Sequence, residues 1–80
     1  MRARLASEEA KLRRRIALNV RRLRAELEIS AVDASESVGL HWRLWQKIEA
    51  GENNITLRTL SRIAAALGVD PRDLLASPTR

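Results

Sequence analysis

Three glycines, at positions 39, 51 and 68, each close a short stretch whose apolar residues recur at intervals of three and four. This punctuation constrains the chain more than any other feature it carries. Glycine just past the last periodic residue is a common helix stop, because that position often takes a left-handed backbone which a Cβ disfavours. The segments closed in this way cover residues 31–38, 42–50 and 57–67, enough for two or three helical turns each. Period-2 runs of β-branched and aromatic residues are missing, as are Asn-Gly and Asp-Gly hairpin turns, so strands have no local signal to form on. The expected fold class is all-α.

Each short segment also has a start. Ser30 is an N-cap with Asp33 three residues on, and Thr56 caps the segment beginning at Leu57. His41 precedes Trp42, and Leu40 and Trp45 then occupy the two positions of a hydrophobic staple. Asp70 followed by Pro71 opens a fifth, short helix running to about Ala76. Before these lies a longer helix, expected from Glu8 to Leu27, with Leu12, Ile16, Val20, Leu23 and Leu27 on one stripe. Ser7 is its expected cap, with Glu8 and Glu9 at the positive end of the helix dipole. The expected layout is a flexible basic arm over 1–6, a compact five-helix domain with an extended basic first helix over 7–76, and a tail over 77–80.

Composition narrows the function. The 80 residues include no cysteine and one histidine, His41, so disulfides and a zinc ligand set are both excluded. No metal and no cofactor are expected. Nothing approaches the roughly 18 apolar residues of a membrane span, and the charged N-terminus does not read as a signal peptide. A cytoplasmic, membrane-free protein is expected. No nucleophile–base pairing and no glycine-rich phosphate loop is visible, so the chain is not expected to be an enzyme. The net charge of +5 points to an anionic partner. Residues 1–27 hold nine Arg and Lys against Glu8, Glu9 and Glu26, a balance of +6, whereas residues 28–80 hold six against seven, a balance of −1. The positive charge belongs to the first helix and its leader.

From Ser30 to Gly51 the order is cap, helix, glycine-containing turn and second short helix, the layout of a helix-turn-helix. Ser35 is small where the two helices approach, and Trp45 and Ile48 can pin the second helix. Residues 20–75 resemble the Xre/Cro–phage-repressor family. The run VRRLRAELEIS is similar to that family's first helix, and GLHWRLWQKIEAGENNITLRTLSRIAAALGVDPRDLL to its recognition helix, following loop and last two helices. The resemblance implies a lambda-repressor-like DNA-binding domain whose second motif helix enters the major groove. It further implies a structural ion pair between Arg24 and Glu49, and base contacts from Trp42, Arg43 and Lys47 with His41 and Gln46 at the edge. Arg43 and Lys47 share one helix face, and each can donate to guanine O6 and N7. Two exposed cations are also ordinary on a surface helix. Trp42 fits three readings: half-packed core, DNA contact or protein contact.

Phosphate contacts are expected from helix N-termini and nearby polar groups: Ser30, Asn53, Asn54, Thr56 and Arg58. Simple turn chemistry accounts equally well for the two asparagines. The basic residues Lys11, Arg13, Arg14, Arg15, Arg21 and Arg22 fit either non-specific phosphate attraction or a solvated helix face. The chain departs from the family in having Ala31 where a phosphate-touching Gln is usual. Ala34 stands where Leu is usual and Trp45 where a β-branched residue is usual, an exchange of volume within one core.

The expected function is a sequence-specific transcriptional regulator binding double-stranded DNA, with the repressor-like palindromic mode of a homodimer. The alternative is a protein-interaction module of antitoxin-like kind, with a protein partner contacting Trp42. Leu74 and Leu75 are about 100° apart on a helix and cannot both face inward well. One of them, with Leu67 or Val69 nearby, is expected on the surface of a monomer, so Leu67, Val69, Leu74 and Leu75 are the expected dimer interface. The alternative is that the N-terminal helix folds back over this patch and the protein is a monomer. A small chain without staples has reason to bury such a patch in a second copy.

Overall fold

The computed structural model describes residues 2–77, with side chains from Leu5 onward, and contains five helices. These are α1 (Arg2–Leu27), α2 (Ala31–Val38), α3 (Trp42–Glu49), α4 (Leu57–Leu67) and α5 (Pro71–Leu75). Among the described residues there is no strand. α1 packs against α3 and α5, α2 against α3 and α4, and α4 against α5. The motif pair α2–α3 is thus held between the long first helix and α4.

α1 starts at Arg2, inside the stretch expected to be a flexible arm. Ser7 is an interior residue of the helix and not its cap. Arg, Ala and Leu precede it, all strong helix formers, and nothing there breaks the helix. Of the expected tail, Ser77 alone lies within the described residues. At 26 residues α1 is about 39 Å long at 1.5 Å per residue, which matches the longest dimension of the molecule, 39 × 27 × 19 Å. The other helices cover only its middle turns. Ile16, Ala17, Val20 and Leu23 are therefore buried, while Leu12 and Leu27, the two ends of the stripe, remain 41% and 49% exposed.

The stops of the first four helices follow one geometry. After α2, Gly39 has φ 81° and donates to Glu36 O, and Leu40 N donates back to Ser35 O at 2.9 Å. The same pair of bonds closes α3 and α4, satisfying carbonyls that a helix end leaves without partners. α1 closes this way too, with Glu28 N on Ala25 O and Ile29 N on Arg24 O, and places a non-glycine residue, Glu28, at φ 56°.

Fully buried Val20, Trp45, Ile48, Ile63 and Leu74 come from four different helices and form the centre of one core. Leu74 and Leu67, two of the four residues expected at a dimer contact, belong to this core. α1 packs on α5 and α5 on α4; Leu74 is 0% exposed and Leu67 only 7%. Neither can form the surface of an interface. Val69 and Leu75 are half-buried against the same core. The buried amide of Asn19 on α1 donates to Leu74 O (3.0 Å) and Ala76 O (2.9 Å), tying the end of α5 to the long helix.

Candidate nucleic-acid interface

α2 and α3 are joined by three residues, Gly39, Leu40 and His41. Ser30 Oγ accepts from Asp33 N at 3.0 Å to start α2. His41 Nδ1 accepts from Arg43 N at 3.1 Å to start α3, which requires that this nitrogen carry no proton. The imidazole acts as an N-cap on an exposed residue.

The placement of α3 depends on Glu49. Its carboxylate accepts from Arg24 Nε (2.6 Å, Oε2) and Arg24 Nη2 (3.1 Å, Oε1), a bidentate pair with side-chain exposures of 25% and 12%. The Trp45 indole N–H donates to the same Oε2 at 2.6 Å, so the buried tryptophan has no unsatisfied donor. Arg24 Nη1 also donates to Ile29 O at 3.0 Å, reaching the turn between α1 and α2. The hydrogen bond to Glu49 raises the Arg24 pKa above its ordinary value, partial burial opposes this, and the nearby negative charge adds to the rise. Trp45 and Ala34 are both buried in the single core, the large and the small residue of the α2–α3 contact.

With Trp45 and Ile48 turned inward, the outer face of α3 presents Trp42, Arg43, Gln46 and Lys47 to solvent. Arg43, Gln46 and Lys47 line one open depression with Ala50 and Glu52. No carboxylate among the described residues pairs with Arg43 or Lys47. Trp42 lies at the margin of this face, 43% exposed. Its ring stacks beside His41 (centroids 6.4 Å apart, planes 23°), and the Arg43 guanidinium lies 5.9 Å from its centroid. The core alternative for Trp42 is not what this exposure describes.

The residues expected at phosphates fall into two groups. Ser30 and Thr56 are both N-caps, and Thr56 Oγ1 accepts from Thr59 N and donates to Thr59 Oγ1, each at 3.1 Å. Arg58 is exposed in the first turn of α4. Asn53 is half-buried, and exposed Asn54 accepts from Arg13 Nη1 at 2.7 Å through its Oδ1. Sequence reasoning missed this last contact, which joins residues 41 apart. It brings the basic helix against the loop that follows α3, where Gly51 packs beside Arg13 O and Ala17. Of the other basic residues on α1, Lys11 pairs with Glu8 and Arg22 with Glu26. Arg14 and Arg21 are exposed, with no carboxylate paired to them among the described residues. Asn19 was missed as well, although a single amide among the inward positions of α1 is itself a signal that buried polar atoms need a partner.

A family model described as a helix-turn-helix domain matches residues 15–77. The crystal structure of a hypothetical transcription factor, NHTF, from Neisseria is similar to this chain at 33% identity and a TM-score of 0.82, over 88% of this chain and 80% of that one. No curated protein matches the chain.

Proposed function

The chain belongs to the helix-turn-helix domain family, and from that premise we propose that it is a sequence-specific DNA-binding transcriptional regulator of the Xre/Cro kind, reading a palindromic operator as a homodimer. The observation that carries the reading is the outer face of α3, where Arg43 and Lys47 have no carboxylate partner among the described residues, on a helix locked from behind by Arg24 and Glu49. A helix so fixed loses little freedom when it docks. Arg43 and Lys47 donate to guanine edges, Trp42 makes the apolar base contact, and His41 and Gln46 lie at the edge. Ser30, Asn53, Asn54, Thr56 and Arg58 meet phosphates. Asn54 uses its oxygen on Arg13 and keeps its amide to donate, so Arg13 arrives at the backbone with it.

The basic character of α1 then supplies sequence-independent attraction, because α1 packs directly on α3. Arg43→Ala and Lys47→Ala should each weaken specific binding by about 1–3 kcal/mol and relax preference at one base pair. Arg14→Ala should weaken binding to every sequence alike and flatten the salt slope by about one. Mobility shifts over a panel of duplexes separate the two classes. Identical behaviour of Arg43→Ala and Arg14→Ala would overturn the assignment of α3. The exposure of Trp42 favours a second reading, an antitoxin-like protein-interaction module, under which no duplex is bound at moderate salt.

A further inference from the structure

Among the base-facing residues, Trp42 has the least obvious chemistry. Indole offers one donor and no acceptor, and the rest of its surface is apolar. A base pair presents a single apolar group in the major groove, the C5-methyl of a pyrimidine. Thymine carries it, 5-methylcytosine carries it, and unmodified cytosine does not. Beside the ring lies Arg43, the side chain suited to guanine O6 and N7. The two are already in contact, 5.9 Å from guanidinium to ring centroid. That exceeds one base-pair rise of about 3.4 Å and falls short of two, so the two groups are spaced to address adjacent base pairs, one dinucleotide step. His41 stacks on the ring and accepts from the backbone N–H of Arg43, which ties the imidazole to the start of the helix beside the indole.

Resting on the DNA-reading proposal above, we propose that Trp42 and Arg43 together read one step, a C5-methylated pyrimidine adjacent to a guanine. Trp42 contacts the methyl, and Arg43 takes the guanine while remaining stacked on the indole. The composite explains why the indole is left 43% exposed on a helix whose other tryptophan is fully buried.

The test removes one methyl group at a time. Duplexes enriched from a random library by the wild-type protein are resynthesised with each thymine replaced by uracil, and binding is followed by mobility shift. One uracil, next to a guanine, should weaken binding about three- to ten-fold, the scale of one buried methyl. At that step 5-methylcytosine should bind tighter than cytosine by a similar factor. A response to thymine alone identifies a thymine–guanine step, and a response in both arms extends it to methylated cytosine–guanine. Trp42→Gln, checked for native helicity by circular dichroism, should bind the thymine and uracil duplexes alike. An enriched sequence that ignores every uracil overturns this inference and leaves the DNA-reading proposal standing. Uracil discrimination that survives in Trp42→Gln also overturns it, and wild-type-like affinity of that variant assigns the indole to a protein partner. If no sequence is enriched at all, the DNA-reading proposal fails and this inference fails with it.

Discussion

The carboxylate of Glu49 accepts three hydrogen bonds from two side chains, one on α1 and one on its own helix. Replacing it by Ala leaves both the Arg24 guanidinium and the Trp45 indole N–H partly desolvated and unpaired. Removing one partner of such a pair should cost about 3 kcal/mol, read as a lower urea midpoint. Glu49→Gln retains an acceptor oxygen and should cost less, and equal stability of wild type and Glu49→Ala would refute the account. The ion pair was legible in the sequence through the family resemblance, whereas the indole's share in it was not, since nothing local says which way a buried tryptophan points its N–H. Asn19 was less legible still. Its partners are carbonyls 55 and 57 residues away, and only the docking of α5 creates the need for them. Asn19→Ala should leave those carbonyls without a protein donor and lower stability by about 1–3 kcal/mol, again by urea titration.

At the scale of helices, what is local was readable and what is long-range was not. Ser30, His41, Thr56 and Asp70 each cap the helix they precede, because capping depends on residues within three positions. The start of α1 was misplaced, since a run of strong helix formers carries no mark of where the helix begins. Leu74 was misassigned to an interface because its burial depends on α1 crossing over α5. Of the left-handed helix stops, the turn at Glu28 is the one made without glycine. A left-handed backbone costs a residue with a Cβ about 1–2 kcal/mol, and the greater freedom of unfolded glycine returns about 0.4–1 kcal/mol of that. Glu28→Gly should therefore stabilise the protein slightly, with a higher Tm, and a lower Tm would show that the Glu28 side chain makes a contribution of its own. Asp70 sets the acid limit of α5. The Arg72 backbone N–H, and to a lesser degree its side chain, hold the Asp70 carboxyl below its ordinary range of about 3.8. A depressed carboxyl stabilises the fold above that range and ceases to do so as pH falls through its folded-state value. Protection of the Arg72 and Asp73 amides, relative to the intrinsic exchange rate at each pH, should accordingly fall on acidification below about pH 4. Unchanged protection there would remove the cap from the account.

For the whole molecule, the separation of charge along the sequence is misleading. The first third holds the positive balance and the motif does not, yet α1 packs on α3, and Arg13 reaches the loop after it. The assembled surface places cations of α1 beside α3. The proposed homodimer belongs to this scale also, and with Leu67 and Leu74 in the core the proposal rests on Val69 and Leu75. Sedimentation at micromolar concentration should give twice the 9.0 kDa of one chain, and Leu75→Glu should return the single-chain mass. A 9.0 kDa species that binds its operator tightly would reject the dimer. The two tryptophans carry a practical consequence. They are the only aromatic chromophores of the Trp, Tyr and Phe class in the chain; Trp45 is sealed in the core with its indole N–H engaged, and Trp42 stands in solvent on the outer face. Intrinsic emission from this protein therefore divides into two channels. Iodide should quench the red-shifted contribution of Trp42 and leave that of Trp45, so a bound duplex registers in the first channel and loss of the fold in the second, without any label attached.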